Sequence, residues 1–340
     1  MRETVAGGKI GVEQQTVAAG RAPAAAVPGE AAAAGVDQVV PTPEQDRELL
    51  ARLGVDIPTR DEMEEIESSS RAYEENGVAY LTALVLCRSD TDHPGATPVS
   101  FVLTPTHLVT VRFAELAAFR AFAARCARQP RIAGGSVLAF AGLVEAIVDR
   151  TADVLERADA ALATVSAEVF RPGKAGAGTA GAGRPRRRTP RDLDELVERI
   201  GRHHDLLSTV RESLHTLQRV VSFARQAADG WMPEEGRAQL ATAERDLRSL
   251  VEHDAHLTQK AGFLLDATLG LINNQQNKII KIFSVVAVVF MPPPLVASVY
   301  GMNFAHMPEL AQAWGYPASL ALMALAAAAP YLYFKRRGWL

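Results

Sequence analysis

The stretch Lys281–Leu310, KIFSVVAVVFMPPPLVASVYGMNFAHMPEL, decides how this chain folds. Between Lys281 and Glu309 it carries no charge, and Ile282–Tyr300 alone is nineteen residues long. A helix of that length crosses a hydrocarbon core of roughly 30 Å. After a short loop over 301–310, a second run without Asp, Glu, Lys or Arg covers 311–334. Trp314 and Tyr316 mark one end of it, and Tyr331, Tyr333 and Trp339 the other. Amphipathic rings favour such positions at membrane interfaces. Two transmembrane helices, 282–300 and 311–334, are therefore expected, and with them a lipid bilayer as partner.

The basic residues orient these spans. Lys278 and Lys281 precede the first, Lys335, Arg336 and Arg337 follow the second in the tail 335–340, and the loop between them has none. Lysine and arginine concentrate on the cytoplasmic side, so both chain ends are expected in the cytoplasm and the loop outside. Pro292, Pro293 and Pro294 lie within the first span. Proline has no N–H, so the carbonyls of Val288, Val289 and Phe290 lose their helical partners and a kink is expected. In lipid such carbonyls need another partner, which puts this helix against protein or a water-filled lumen. Two spans cannot enclose a pore, so a lumen requires a ring of subunits.

Upstream, no proline interrupts the chain from Glu234 to Met291, and Leu240, Leu247, Leu250, Leu257, Leu264, Leu271 and Ile279 recur mostly at seven-residue steps. That stripe predicts a long stalk helix over 233–281, continuous with the first span and roughly 100 Å long in all. Pro233 followed by Glu234 and Glu235 starts it well, with acids at the positive end of the dipole. Before the stalk, 41–232 reads as a mixed domain. A helix closed by Gly54 is expected over TPEQDRELLARLG, followed by the acidic stretch IPTRDEMEEIESSS. Three strands are expected at 78–87, 98–104 and 107–113, the last two joined as a hairpin at Pro105-Thr106. Helices follow over 114–128, 137–170 and 190–228. The Gly- and Pro-rich basic tract 171–190 reads as a flexible insertion, and the Ala/Gly-rich residues 1–40 as a disordered tail.

Composition excludes several classes. A formal charge of −3 and a pI near 6.3 do not suit a nucleic-acid binder. The two cysteines, Cys87 and Cys126, have no metal-site spacing and read as reduced thiols. No apolar h-region follows the N-terminus, so a cleaved signal peptide is not expected. His253 and His256, with Asp254 between them, lack a third ligand position for zinc. The glycines of 175–183 lack the Lys-Ser ending of a phosphate loop. No catalytic constellation and no organic-cofactor motif appear.

The residues Tyr300-Gly301-Met302-Asn303-Phe304, then Met307-Pro308-Glu309-Leu310, Trp314-Gly315-Tyr316-Pro317 and a basic tail, resemble the CorA-type magnesium transporters. Gly-Met-Asn after the penultimate helix is that family's signature, and the strong likeness covers about residues 270–340. The resemblance implies a homopentamer with an α+β cytoplasmic funnel, a long stalk helix and two C-terminal transmembrane helices, the first lining the pore. It implies that Gly301, Met302 and Asn303 form the ion entry, with five Asn303 amides accepting hydrogen bonds from the waters of the ion. A hydrated ion suits this chemistry because Mg2+ gives up its waters reluctantly. It further implies Asn277, Phe283, Ser284 and Met291 along the pore, with Glu309 in the external loop. Asp61 and Asp266 are implied as a regulatory Mg2+ pair between subunits, although the residues around Asp61 depart from the family pattern. The expected activity is inward passage of Mg2+, with Co2+ and Ni2+ as further candidates, across the inner membrane, gated by internal Mg2+. A zinc transporter of the same superfamily and a non-conducting membrane-anchored scaffold stay open as alternatives. The Met307-Pro308-Glu309 loop favours magnesium.

Overall fold

The computed structural model describes residues 12–15, 35–65, 71–89, 91, 94–170, 190–302, 312 and 314–338. These residues divide into two compact units, one taking in 1–176 and 198–264, the other 177–197 and 265–340.

The first unit is built on a six-stranded mixed sheet in the order β1-β2-β6-β5-β4-β3. Its strands are β1 (Val12–Gln15), β2 (Gly35–Val39), β3 (Ala72–Glu75), β4 (Val78–Cys87), β5 (Gly95–Leu103) and β6 (Leu108–Arg112). β4, β5 and β6 form an antiparallel meander, as their β-branched and aromatic runs predict. The turn from β5 to β6 is held by Thr104, whose hydroxyl accepts from the His107 N–H at 2.9 Å.

Three strands lie outside the three expected from sequence. β1 and β2 fall within the tail expected to be disordered, and pair in parallel with each other and, through β2, with β6. β2 is held by burial: Asp37 and Arg112 form an ion pair at 3.0 Å with both side chains almost wholly covered. The Thr110 hydroxyl also donates to Asp37 at 2.8 Å, and the Arg112 guanidinium lies 4.9 Å from the Phe119 ring centroid. β3 joins β4 through Asn76-Gly77, both at positive φ (52° and 78°). That is the twist a two-residue hairpin turn needs, and glycine adopts it without a steric penalty. Tyr73 and Tyr80 then stack across the pair at 4.8 Å.

Helices cover both sheet faces. On one, α1 (Pro43–Leu53) and α2 (Arg60–Glu64) lead to a core of Leu49, Ile57, Met63, Tyr80, Val102 and Val109. Gly54 closes α1 at φ +66°, donating to the Leu50 carbonyl at 2.9 Å. On the other face lie α3 (Ala117–Arg128) and α4 (Ser136–Phe170), with Phe140 edge-on to Phe101. Gly142 lets α3 and α4 approach, since a Cβ there would sit 2.8 Å from the Phe122 ring.

α5 (Pro190–Ala227) and α6 (Glu234–Phe290) follow. Within the first unit, α5 covers the part of β4 that β3 leaves open: the Leu84 N–H donates to Thr216 at 3.0 Å and the Ser213 hydroxyl to the Leu84 carbonyl at 2.7 Å. An otherwise bare strand edge is thereby satisfied. Ion pairs tie α4, α5 and α6 together: Arg199–Glu168 at 2.7 Å, Lys260–Asp159 at 2.6 Å and Arg225–Glu244. The leucine stripe is buried at Leu240, Leu247, Leu257 and Leu264, whereas Ile279 is 43% exposed.

In the second unit α6 ends at Phe290, a bend follows at Met291, and α7 (Pro292–Tyr300) begins on the three prolines. α8 (Gly315–Arg336) packs against α7. The run ending at Tyr300 and α8 are each long and apolar enough to cross a bilayer. They are not the core of a soluble fold, because Phe283, Phe290, Met291 and Leu295 are each about two-thirds exposed or more (70%, 69%, 72% and 65%). Water does not tolerate so large an open apolar surface, and lipid or a neighbouring helix does.

Candidate functional site

α6 is regular because nothing in residues 234–290 interrupts its hydrogen bonding, and that regularity aligns the candidate ion path. Asn277, Ser284 and Met291 are seven residues apart, so they fall on one helical face. At 1.5 Å per residue the face runs about 21 Å from the amide to the thioether. Phe283, one residue before Ser284, lies about 100° around the helix, on the flank of this face. All four side chains are exposed.

The helical backbone runs on as far as the prolines. Met291 keeps helical angles (φ −71°, ψ −40°), and its N–H reaches the Ala287 carbonyl at 2.9 Å. The three prolines beyond it donate nothing, so the carbonyls of Val288, Val289 and Phe290 lose the N–H four residues on. These oxygens add polar character to a stretch with no charged side chain. At the far end, the Gly301 N–H closes α7 on the Ala297 carbonyl at 2.9 Å. A Cβ at Gly301 would stand 3.2 Å from that oxygen, so the turn is tight. Met302 follows and is exposed. Asn303 and Glu309 lie outside the described residues. α8 opens with exposed Trp314 and Tyr316 and carries Tyr331, Tyr333, Lys335 and Arg336 near its other end.

Asp61 sits in the first turn of α2, which Thr59 and Glu62 cap reciprocally. Asp266 is on α6 within the second unit. Both carboxylates are exposed, and they belong to different units. Among the described residues no group of three or more His, Cys, Asp or Glu could hold a metal. Asp254, between His253 and His256, is turned inward: it is 1% exposed and accepts from Arg211 at 2.9 Å. Burial raises its pKa against the opposing pull of Arg211.

The sequence profile of the family described as CorA-like Mg2+ transporter protein matches residues 36–336. The chain belongs to this family. Among curated CorA-family relatives, the magnesium transport protein CorA of Salmonella typhimurium is 37% identical over 307 residues, covering 90% of this chain and 91% of the relative. That of Pectobacterium atrosepticum is 35% identical over 305 residues, with the same two coverages. The solved CorA magnesium transporter of Methanocaldococcus jannaschii shares the CorA fold at a TM-score of 0.71 and 20% identity, across 90% of this chain and 91% of the other. CorA membership accounts for the order of elements: mixed sheet domain, long helix, two apolar helices. The seven-residue spacing of Asn277, Ser284 and Met291 could have been counted from sequence alone, whereas the buried Asp37–Arg112 pair left no such signal.

Proposed function

We propose that this chain is a homopentameric, channel-like transporter that passes Mg2+ inward across the cytoplasmic membrane, with Co2+ and Ni2+ as further cargo. The observation that carries the reading is the face of Asn277, Ser284 and Met291, with no charged residue from Ile282 to Met302, on a chain of the CorA family. Five copies of that face would line a lumen, and five Asn303 amides at its outer rim would hold an ion by its hydration shell. Neutral amide oxygens bind a hydrated dication without trapping it, which conduction requires. Met291 and Phe283 would form apolar constrictions, and Asn277 a polar ring at the inner end.

No nucleotide is needed to drive the flow. A divalent cation gains about 4.6 kcal/mol per 100 mV of inside-negative potential. Both chain ends would face the cytoplasm, because the basic residues flank the spans on that side. There, Asp61 and Asp266 of neighbouring subunits would share an Mg2+ ion through water when the internal concentration is high and hold the pore shut. Loss of the ion would leave two carboxylates repelling each other.

The test is a flux series in liposomes comparing Mg2+, Co2+, Ni2+ and Zn2+ for the parent, Asn303→Ala and Asp266→Ala. Mg2+ should be carried by the parent, its selectivity over Zn2+ should fall at least tenfold in Asn303→Ala, and Asp266→Ala should stay open at high internal Mg2+. Zn2+ carried in preference to Mg2+ by the parent would favour the zinc branch. Unchanged Mg2+ selectivity in Asn303→Ala would remove the role given to Asn303.

A further inference from the structure

Unlike α6, α8 presents no polar face. Between Pro317 and Phe334 its polar side chains are Ser319, which is buried, and the phenols of Tyr331 and Tyr333. Such a helix offers little to a hydrated ion and suits lipid. Leu322, Leu325, Ala329 and Leu332 are exposed and stand at i, i+3, i+7 and i+10, on one helical face. The next position of that series is Arg336. At 1.5 Å per residue the apolar part of the face is about 15 Å long, half of a hydrocarbon core of roughly 30 Å. The face therefore matches an acyl chain of one leaflet in length, with a cation at headgroup depth.

The end of α8 is well defined and strongly basic. Gly338, at φ +71°, closes the helix by donating to the Lys335 carbonyl at 3.2 Å, and the Arg337 N–H reaches the Tyr333 carbonyl at 3.1 Å. The Arg337 guanidinium lies 5.5 Å from the Tyr333 ring centroid. Lys335, Arg336 and Arg337 are all exposed. The spans supply no carboxylate side chain to match them: Asp and Glu are absent from 267–308 and from 310–340, and Glu309 follows the far end of the first span. The spans of a second copy meeting this end of α8 would bring further bases, and like charges repel. The complement present at that depth of a membrane is an anionic lipid headgroup.

We propose that the Leu322–Arg336 face of α8 binds an anionic phospholipid of the cytoplasmic leaflet. Its phosphate sits on Arg336, flanked by Lys335 and Arg337, and its acyl chain lies along Leu332, Ala329, Leu325 and Leu322. The guanidinium presents a planar fork of donors that matches phosphate geometry. A zwitterionic lipid brings its own cation to the same place and is held less well. The site rests on the reading that α8 crosses the bilayer with its basic end in the cytoplasm, and not on which ion is carried.

The test is native mass spectrometry of the full chain in neutral detergent, titrated with phosphatidylglycerol or with phosphatidylcholine of the same acyl chains. Phosphatidylglycerol should bind at least fivefold more tightly. Arg336→Gln should weaken phosphatidylglycerol binding about fivefold and leave phosphatidylcholine binding unchanged, which also checks that the variant is folded. Arg336→Lys should stay within about threefold of the parent, since it keeps the charge. Glycerol phosphate should displace no more lipid than sodium chloride of the same ionic strength. Equal binding of the two lipids by the parent, or an Arg336→Gln variant indistinguishable from it, would overturn the assignment. Displacement by glycerol phosphate beyond the effect of salt would overturn it in favour of a soluble phosphate. If the parent carries Mg2+ into liposomes yet binds the two lipids equally, this site alone falls; if neither lipid binds, the bilayer-spanning reading of α8 falls with it.

Discussion

Arg112 shows how much one residue can hold. It is 1% exposed, and it joins β2 to the sheet through Asp37, caps the Ala114 carbonyl at 2.8 Å and covers Phe119. Removing one partner of a buried pair leaves an uncompensated charge, a loss of about 3–5 kcal/mol. Thermal and denaturant unfolding of the full chain should therefore show Asp37→Ala strongly destabilised, with Glu115 at 3.3 Å from Arg112 offsetting part of the loss. The exposed pair Arg60–Glu64 is the control, and Glu64→Ala should cost less than about 1 kcal/mol. At His203 the dependence is on pH. Its pKa in the fold is depressed by burial and by Arg199 and Arg202, so below about pH 6.5 the unfolded chain takes up the proton more readily. That stability is complete above pH 6.5 and declines as pH falls through it. The drop in melting temperature from pH 7.5 to pH 5.5 should be smaller in His203→Gln than in the parent. Neither role was legible in the sequence: Asp37 lies in a short GVDQVV run beside Ala- and Gly-rich chain, and only the folded partner Arg112 explains it.

At the scale of elements, periodicity and punctuation carried most of the fold. β4 falls on 78–87 as its apolar run indicates, α4 and α5 flank the Gly-rich tract, and α6 follows Pro233. β3 is different, because its four residues AYEE carry little apolar signal, although Asn76-Gly77 is itself a hairpin-turn signal. Gly77→Val should cost about 1–2 kcal/mol of stability, since a β-branched residue at φ +78° is strained. The same unfolding assay would show it, and Gly54→Asn at the close of α1 should be nearly neutral by comparison. β1 and β2 were illegible for a physical reason: parallel pairing partners lie far away along the chain, so local composition does not reveal them. The candidate path is mixed in the same way. The sevenfold spacing of Asn277, Ser284 and Met291 is a property of sequence, but which face turns inward depends on other copies of the chain.

At the scale of the molecule, the second unit presents more apolar surface than water permits. Phe283, Met291 and Leu295 are exposed, and two spans are too few to enclose an ion path. Assembly in a membrane accounts for both, and the native mass of the detergent-solubilised chain should correspond to five copies. A monomeric mass in mild detergent would leave the polar face of α6 without a lumen to line. One experiment tests conduction directly: the full chain is reconstituted into liposomes, with external Mg2+, low internal Mg2+ and an imposed diffusion potential. The account predicts Mg2+ uptake that grows as the interior becomes more negative and that stops when internal Mg2+ is raised. Uptake no greater than in protein-free vesicles at every potential would contradict it.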